Sequence, residues 1–212
     1  MRRRLAASAA LGVGAAALWW RKHPSACPYA QRFWVEAPHP FITRARLREA
    51  LDPQPGEAVL EIGPGTGYYS LDVAGWIQPA GRLHLLDLQQ EMLDHTTCRA
   101  REAGLDNLEP RQGDARALPY PDAAFDAAFL VAVLGEVPDQ DRALSELRRV
   151  LKPGGRVAVG ELAGDPHMVT AGTLRTRAER AGLRFERRVG PPFGYFGVLR
   201  SPSGASAAAG PG

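Results

Sequence analysis

Val59-Leu60-Glu61-Ile62-Gly63-Pro64-Gly65-Thr66-Gly67-Tyr68-Tyr69-Ser70 is the stretch on which the fold is decided. A short apolar run ends in an acid, three glycines alternate with other residues, and a helical pattern follows. That order predicts a buried strand, a tight turn and a helix N-terminus. Glycine lets a backbone approach a ligand closely, and the unpaired N–H groups that open a helix attract an anion. Glu61, at the strand end, adds a carboxylate beside that anion site. A ligand carrying an ammonium and a carboxylate together fits the pair.

The glycine spacing separates the possible cofactors. A dinucleotide fingerprint, Gly-x-Gly-x-x-Gly, needs its third glycine at position 68, which is Tyr68. The sequence reads Glu-x-Gly-x-Gly-x-Gly instead, with glycines at 63, 65 and 67. An ordinary strand-to-helix turn is the bland alternative. The spacing resembles motif I of the class I S-adenosylmethionine-dependent methyltransferases. That resemblance implies that Glu61, Gly63, Gly65 and Gly67 hold the methionyl end of S-adenosyl-L-methionine.

Working toward the C-terminus, strands and helices alternate, which predicts a parallel sheet covered on both faces. Tyr68 to Ile77 reads as the first helix and Arg82 to Asp87 as the second strand. Asp87 ends that strand roughly twenty residues after the glycine turn, where a carboxylate accepts from both ribose hydroxyls. Gln89 to Gly104 reads as a helix and Leu105 to Gly113 as the third strand. Gly113-Asp114-Ala115, Leu118-Pro119-Tyr120-Pro121-Asp122 and Phe125-Asp126 follow. This series resembles the type 11 methyltransferase family and implies that Asp114 contacts the adenine amine; a turn or capping aspartate is the alternative. Ala127 to Val133 is the fourth strand. Gly135-Glu136 stands after it where many relatives carry His-His, so no histidine chemistry transfers to this point. Glu136 becomes the local candidate for a catalytic base, with a solvated or capping role as its rival. Asp139 to Leu151 is a helix, Lys152-Pro153-Gly154-Gly155 a turn, and Val157 to Leu162 the fifth strand. His167, in the loop beyond, is a weaker site candidate. Thr170 to Gly182 is the last helix, and Leu183–Val189 with Gly194–Arg200 form a closing strand pair.

Toward the N-terminus, Arg2-Arg3-Arg4 precedes an uncharged stretch, Leu5 to Trp20, closed by Arg21-Lys22-His23. As a helix it reaches about 24 Å, short of the ~30 Å hydrocarbon core. A membrane anchor with the catalytic domain in the cytoplasm is the expectation; a cleaved signal peptide or a soluble cytoplasmic chain are its rivals. The formal charge of +3 conceals an asymmetry. Residues 51–169 hold ten basic and nineteen acidic side chains, while residues 1–50 hold nine basic against two. The acidic middle excludes nucleic acid as a partner of the core, and the basic flank suits an anionic membrane surface. Two cysteines, Cys27 and Cys98, make neither a disulfide framework nor a metal cluster, so no metal is expected.

Four parts follow: residues 1–23 as the apolar segment, 24–54 as a cap, 55–200 as the methyltransferase domain and 201–212 as a disordered tail. The resemblance implies a Rossmann-like α/β fold of class I methyltransferase type. Its seven-stranded, mostly parallel sheet has an antiparallel last strand and helices on both faces. It also makes Tyr29, Arg32, Trp34 and His39, in the cap, candidate walls of the acceptor site. The expected reaction moves a methyl group to a small lipophilic acceptor: a thiol, a quinone-type ring or a lipid amine. An NAD(P)-linked oxidoreductase and a catalytically silent S-adenosylmethionine-binding membrane protein are the two competing classes.

Overall fold

The computed structural model describes residues 40–203. Their elements run α1 (Arg44–Leu51), β1 (Ala58–Ile62), α2 (Ser70–Trp76), β2 (Arg82–Asp87), α3 (Gln90–Glu102), β3 (Leu108–Gln112) and β4 (Phe125–Val131). A 3-10 turn (Leu134–Glu136), α4 (Gln140–Val150), β5 (Leu151–Leu162), α5 (Ala171–Arg180), β6 (Arg184–Val189) and β7 (Gly194–Arg200) complete the chain. The seven strands form one sheet in the order β3-β2-β1-β4-β5-β7-β6. Neighbours run parallel from β3 through β5, whereas β7 is antiparallel to both β5 and β6. The expected sheet, with its antiparallel last strand, is the observed one.

Period-two alternation divides the strands between two cores. Leu60, Ile62, Ala128, Leu130, Val157 and Val159 face α4 and α5, packing on Leu144, Leu147, Val150 and Leu174. Val59, Leu83, Leu85, Ala127, Phe129 and Ala158 face the other way, onto Leu47 and Leu51 of α1, Val73 of α2 and Leu93 of α3. Each leucine buried this way contributes about 1.5–3 kcal/mol, so both faces depend on their helices. α1 belongs to the second core, so the C-terminal part of the expected cap is built into the domain.

Several motif residues secure this frame. Asp126 accepts from the Ala58 N–H at 3.0 Å and pairs with Lys152 Nζ at 2.7 Å, stitching the starts of β1 and β5 to β4. Arg149 holds the 118–122 loop: it donates to the Leu118 and Tyr120 carbonyls and pairs with Glu146 and Asp122. Arg156 forks onto Glu57 and also reaches the Leu51 carbonyl.

Among the boundaries that differ from expectation, β4 spans Phe125–Val131 in place of Ala127–Val133, and three others have a visible local cause. α2 begins at Ser70 because Gly67 N–H turns back to the Pro64 carbonyl at 2.9 Å. β5 begins at Leu151, ahead of the two glycines read as a turn, because Leu151 pairs with Phe125 across an irregularity in the ladder. Ser201, at the start of the stretch read as a tail, is buried and donates to the Gly155 carbonyl at 2.8 Å. Residues 1–23, Tyr29, Arg32, Trp34 and His39 lie outside the described residues. Among those described, no helix is long and apolar enough to cross a membrane.

Candidate active site

The glycine turn joins β1 to α2 at the carboxyl end of the sheet, where ligands bind in open α/β folds. Gly63, Gly65 and Gly67 have φ of 69°, 56° and 82°, in the left-handed region that favours glycine. Close packing adds a second reason at Gly63, where a Cβ would lie 2.4 Å from Val133 Cγ2. The segment leaving β4 therefore leans on the turn. From α3, Thr96 donates to the Gly65 carbonyl at 2.9 Å and Arg99 to the Thr66 carbonyl at 2.6 Å, fixing its outer side.

Glu61 is 2% exposed, one residue before the end of β1. Burial pushes its carboxyl up to about 8; the Ser70 hydroxyl opposes this and the Asp87 charge reinforces it. Glu61 Oε2 and Thr66 Oγ1 are buried without a hydrogen-bond partner. Unsatisfied buried polar atoms are costly, and two at one turn call for a polar ligand. An ammonium at Glu61 and a carboxylate at the turn's amides would satisfy them, so these residues fit a methionyl group.

Asp87 closes β2 on the same sheet face as Leu83 and Leu85. Its Oδ1 accepts from the Gln89 N–H at 2.9 Å, and the nearby Leu88 and Gly65 N–H groups also favour the charged form, but burial is the larger influence and raises its pKa. The Gly113 N–H donates to the Asp87 carbonyl at 2.9 Å, bringing Asp114 alongside. Asp114 is clasped by Arg116, whose guanidinium holds its carboxyl below the usual range. Glu61, the three glycines, Asp87 and Asp114 thus line one edge, although both Asp114 oxygens are already engaged.

Glu136 ends the 3-10 turn beyond β4, half-buried, and its N–H donates to the Val133 carbonyl at 3.0 Å. Gly135 beside it admits no side chain: a Cβ would lie 2.0 Å from the His167 carbonyl oxygen. This contact gives a physical reason for glycine at position 135. The His167 imidazole is almost wholly buried, 3.8 Å from Asp165.

Sequence reasoning missed Glu161. It is fully buried in β5, with Oε2 accepting from Val169 N–H at 2.9 Å and Oε1 unpartnered. Burial pushes it to about 8, and the Asp165 and Glu136 charges add to that after the opposing Val169 contact. The signal was its shared parity with Val157 and Val159, which turns an acid inward. Arg116 was also missed, since a guanidinium two residues from an acid carries no spacing rule.

Residues 59–155 match the family described as "Methyltransferase domain". The ubiquinone/menaquinone biosynthesis C-methyltransferase UbiE of Hahella chejuensis is 38% identical over 109 residues, which is 51% of this chain and 44% of that protein. The chain spans less than half the length of the curated relatives it matches first. Among solved structures, a SAM-dependent methyltransferase from Aquifex aeolicus superposes with a TM-score of 0.70 at 22% identity, covering 82% of this chain and 98% of that one. The [4+2]-cyclase SpnF superposes with a TM-score of 0.67 at 25% identity, covering 76% and 80%.

Proposed function

We infer that this chain, whose domain is of the class I S-adenosylmethionine-dependent methyltransferase type, transfers a methyl group to a quinone-type ring. One observation carries the cofactor half: the unsatisfied Glu61 carboxyl beside a three-glycine turn that packs against Val133. A cyclase shares the fold, so the fold alone does not fix methyl transfer. The names of the UbiE and demethylmenaquinone methyltransferase relatives support the acceptor half.

S-adenosylmethionine, when bound, supplies an electrophilic methyl group on a sulfonium. The protein's part is to align the partners and exclude water. In this reading Glu61 and the glycine turn hold the methionyl end, Asp87 the ribose and Asp114 the adenine. Glu136 is the base assigned to remove a ring-hydroxyl proton from a quinol, which makes the neighbouring ring carbon more nucleophilic. The ring proton displaced by methylation then leaves to water. His167 packs against Gly135 and has no chemical part.

Calorimetric titration of the full chain with S-adenosylmethionine, S-adenosylhomocysteine and NADH tests the cofactor; binding of NADH alone would overturn it. Transfer of labelled methyl from S-adenosylmethionine to demethylmenaquinol, an alkyl thiol or a lipid amine tests the acceptor. Labelling of the thiol or amine and not the quinol would replace the quinone reading. Cofactor binding without transfer to any of them would favour a silent binding protein. For the N-terminal sequence, the proposal is a membrane anchor at residues 5–20, so deletion of residues 1–22 should lower the membrane-bound fraction, and an unchanged fraction would reject it.

A further inference from the structure

Every large hydrophobic residue that is exposed among the described residues lies at the carboxyl-end edge of the sheet. They are Phe41 at 38%, Leu88 at 54% and Phe193 at 48% exposure. Leu88 follows Asp87 directly. Phe193 precedes Gly194, which pairs with Leu162 at the end of β5. Leu88, after β2, stands four strands away from Phe193 in the sheet order and is an ordinary single exposed residue, whereas Phe41 and Phe193 touch and form one apolar patch.

Phe41 and Phe193 form a built pair. Their rings meet edge-to-face with centroids 4.8 Å apart. Gly194 makes room for Phe41, since a Cβ there would lie 2.2 Å from Phe41 Cβ. The Phe193 carbonyl accepts from Ala163 N–H at 2.7 Å, and the Phe41 carbonyl accepts from Arg46 Nη1 at 2.5 Å. Neither ring is left exposed by a loose backbone.

Charge indicates what the pair meets. α1 begins three residues after Phe41 and carries Arg44, Arg46 and Arg48 against Glu49. Arg187 from β6 reaches Glu49, and Arg44 pairs with Asp72. With Asp52 capping α1, four guanidinium groups stand against three carboxylates, and Arg46 also holds the Phe41 carbonyl while Arg48 lies over Trp76, so this corner keeps a small positive excess in an otherwise acidic domain. The chain also enters the fold here, from a sequence that holds an uncharged stretch between Arg2-Arg3-Arg4 and Arg21-Lys22. A tether of that composition would bring this edge to a membrane.

We propose that the Phe41–Phe193 pair, with the α1 arginines, docks the domain on an anionic lipid bilayer. The aromatic rings sit at the headgroup boundary and the arginines meet lipid phosphates. The active-site mouth then faces the membrane, where a lipophilic acceptor is dissolved. The docking itself requires neither acceptor nor cofactor, so its test is independent of the proposed reaction.

The experiment uses the full chain with phosphatidylglycerol-containing vesicles and pure phosphatidylcholine vesicles. Co-sedimentation should favour the anionic vesicles and weaken about tenfold in a Phe41→Ser, Phe193→Ser double variant. Unchanged binding in a folded double variant would overturn the proposal. A spin label on Phe193→Cys, in a Cys27→Ser, Cys98→Ser background, separates this edge from the N-terminal segment. With anionic vesicles the label should gain access to lipid-soluble oxygen, while one on Glu179→Cys stays aqueous. A label at 193 that stays as aqueous as the control, or that is buried equally without vesicles by a second copy of the chain, would also overturn it.

Discussion

Arg116 closes over Asp114. Its Nε donates to both carboxylate oxygens at 3.1 and 3.0 Å, its Nη2 to Oδ2 at 2.6 Å and its backbone N–H to Oδ1 at 2.8 Å. Charge-assisted bonds of this kind are about twice as strong as neutral ones. The acid assigned to adenine is therefore held by a competitor. Asp139 is a second acid whose charge acts on Arg116, so a displaced guanidinium keeps a partner.

Arg116→Ala should accordingly tighten S-adenosylhomocysteine binding severalfold, and Asp114→Ala should weaken it about tenfold, the value of one or two hydrogen bonds. Calorimetry on both variants decides the point. Affinities unchanged in both would remove Asp114 from the adenine site.

Asp87 has the stronger claim on the cofactor because its carboxylate accepts from a backbone N–H, that of Gln89, and no guanidinium bond to it is seen among the described residues. Asp87→Asn keeps the shape but loses the charge and one acceptor oxygen. Loss of about 1.5–3 kcal/mol of charged hydrogen bonding predicts cofactor binding ten- to a hundredfold weaker. Wild-type affinity in a folded Asp87→Asn variant would reassign the ribose.

How much of this was legible depends on whether a local pattern encoded it. β2 spans Arg82–Asp87 as expected, because an apolar run between a glycine and an acid has one plausible reading. β3 starts three residues later than expected. Asn107 is buried and donates to the Ala74 and Gly81 carbonyls, so the chain is still anchoring a loop at that point. That requirement comes from tertiary contacts, and no window of sequence contains it. The glycine turn was legible because φ and close approach restrict the residue type itself. Glu161 was not, since an acid near a strand end is equally natural facing water. The Lys-Pro-Gly-Gly segment misled for the opposite reason: its turn residues are real, with Gly154 at φ 76°, but the ladder to β4 has already begun at Leu151.

Gly63→Ala should be destabilising twice over. The new methyl would overlap Val133, and a left-handed backbone costs a non-glycine residue about 1–2 kcal/mol. Adding Val133→Ala relieves only the overlap. Denaturant midpoints should therefore fall for Gly63→Ala and recover in part for the double variant. A double variant no better than the single one would mean that backbone strain alone accounts for the loss.

Glu61 and Glu161, both pushed to about 8 by burial, each add to the pH dependence of stability, alongside a raised Asp87 and a lowered, oppositely acting His84. Between the ordinary carboxyl value of about 4.5 and 8, the native state binds protons that the unfolded state has released. Stability is therefore fully present below the unfolded value and is lost as pH rises through that window. Glu161→Gln mimics the neutral acid and should flatten the decline, with the largest gain at pH 8. Denaturant melts from pH 5 to 9 measure it; an unchanged slope would show that Glu161 is ionised in the fold.

A ligand ammonium binds the ionised Glu61 carboxylate, but below pH 8 most of the native protein carries a proton there. Binding must then release that proton, and the competent fraction grows up to tenfold per pH unit. S-adenosylhomocysteine affinity should rise as pH climbs from 6 toward 8 and level off above it. Calorimetry in two buffers of different ionisation enthalpy should count close to one proton released per ligand at pH 6.5. Glu61→Gln should bind more weakly at pH 8 and lose the pH slope between 6 and 8. If that variant keeps the wild-type slope, another group titrates with the cofactor and Glu61 does not face its ammonium.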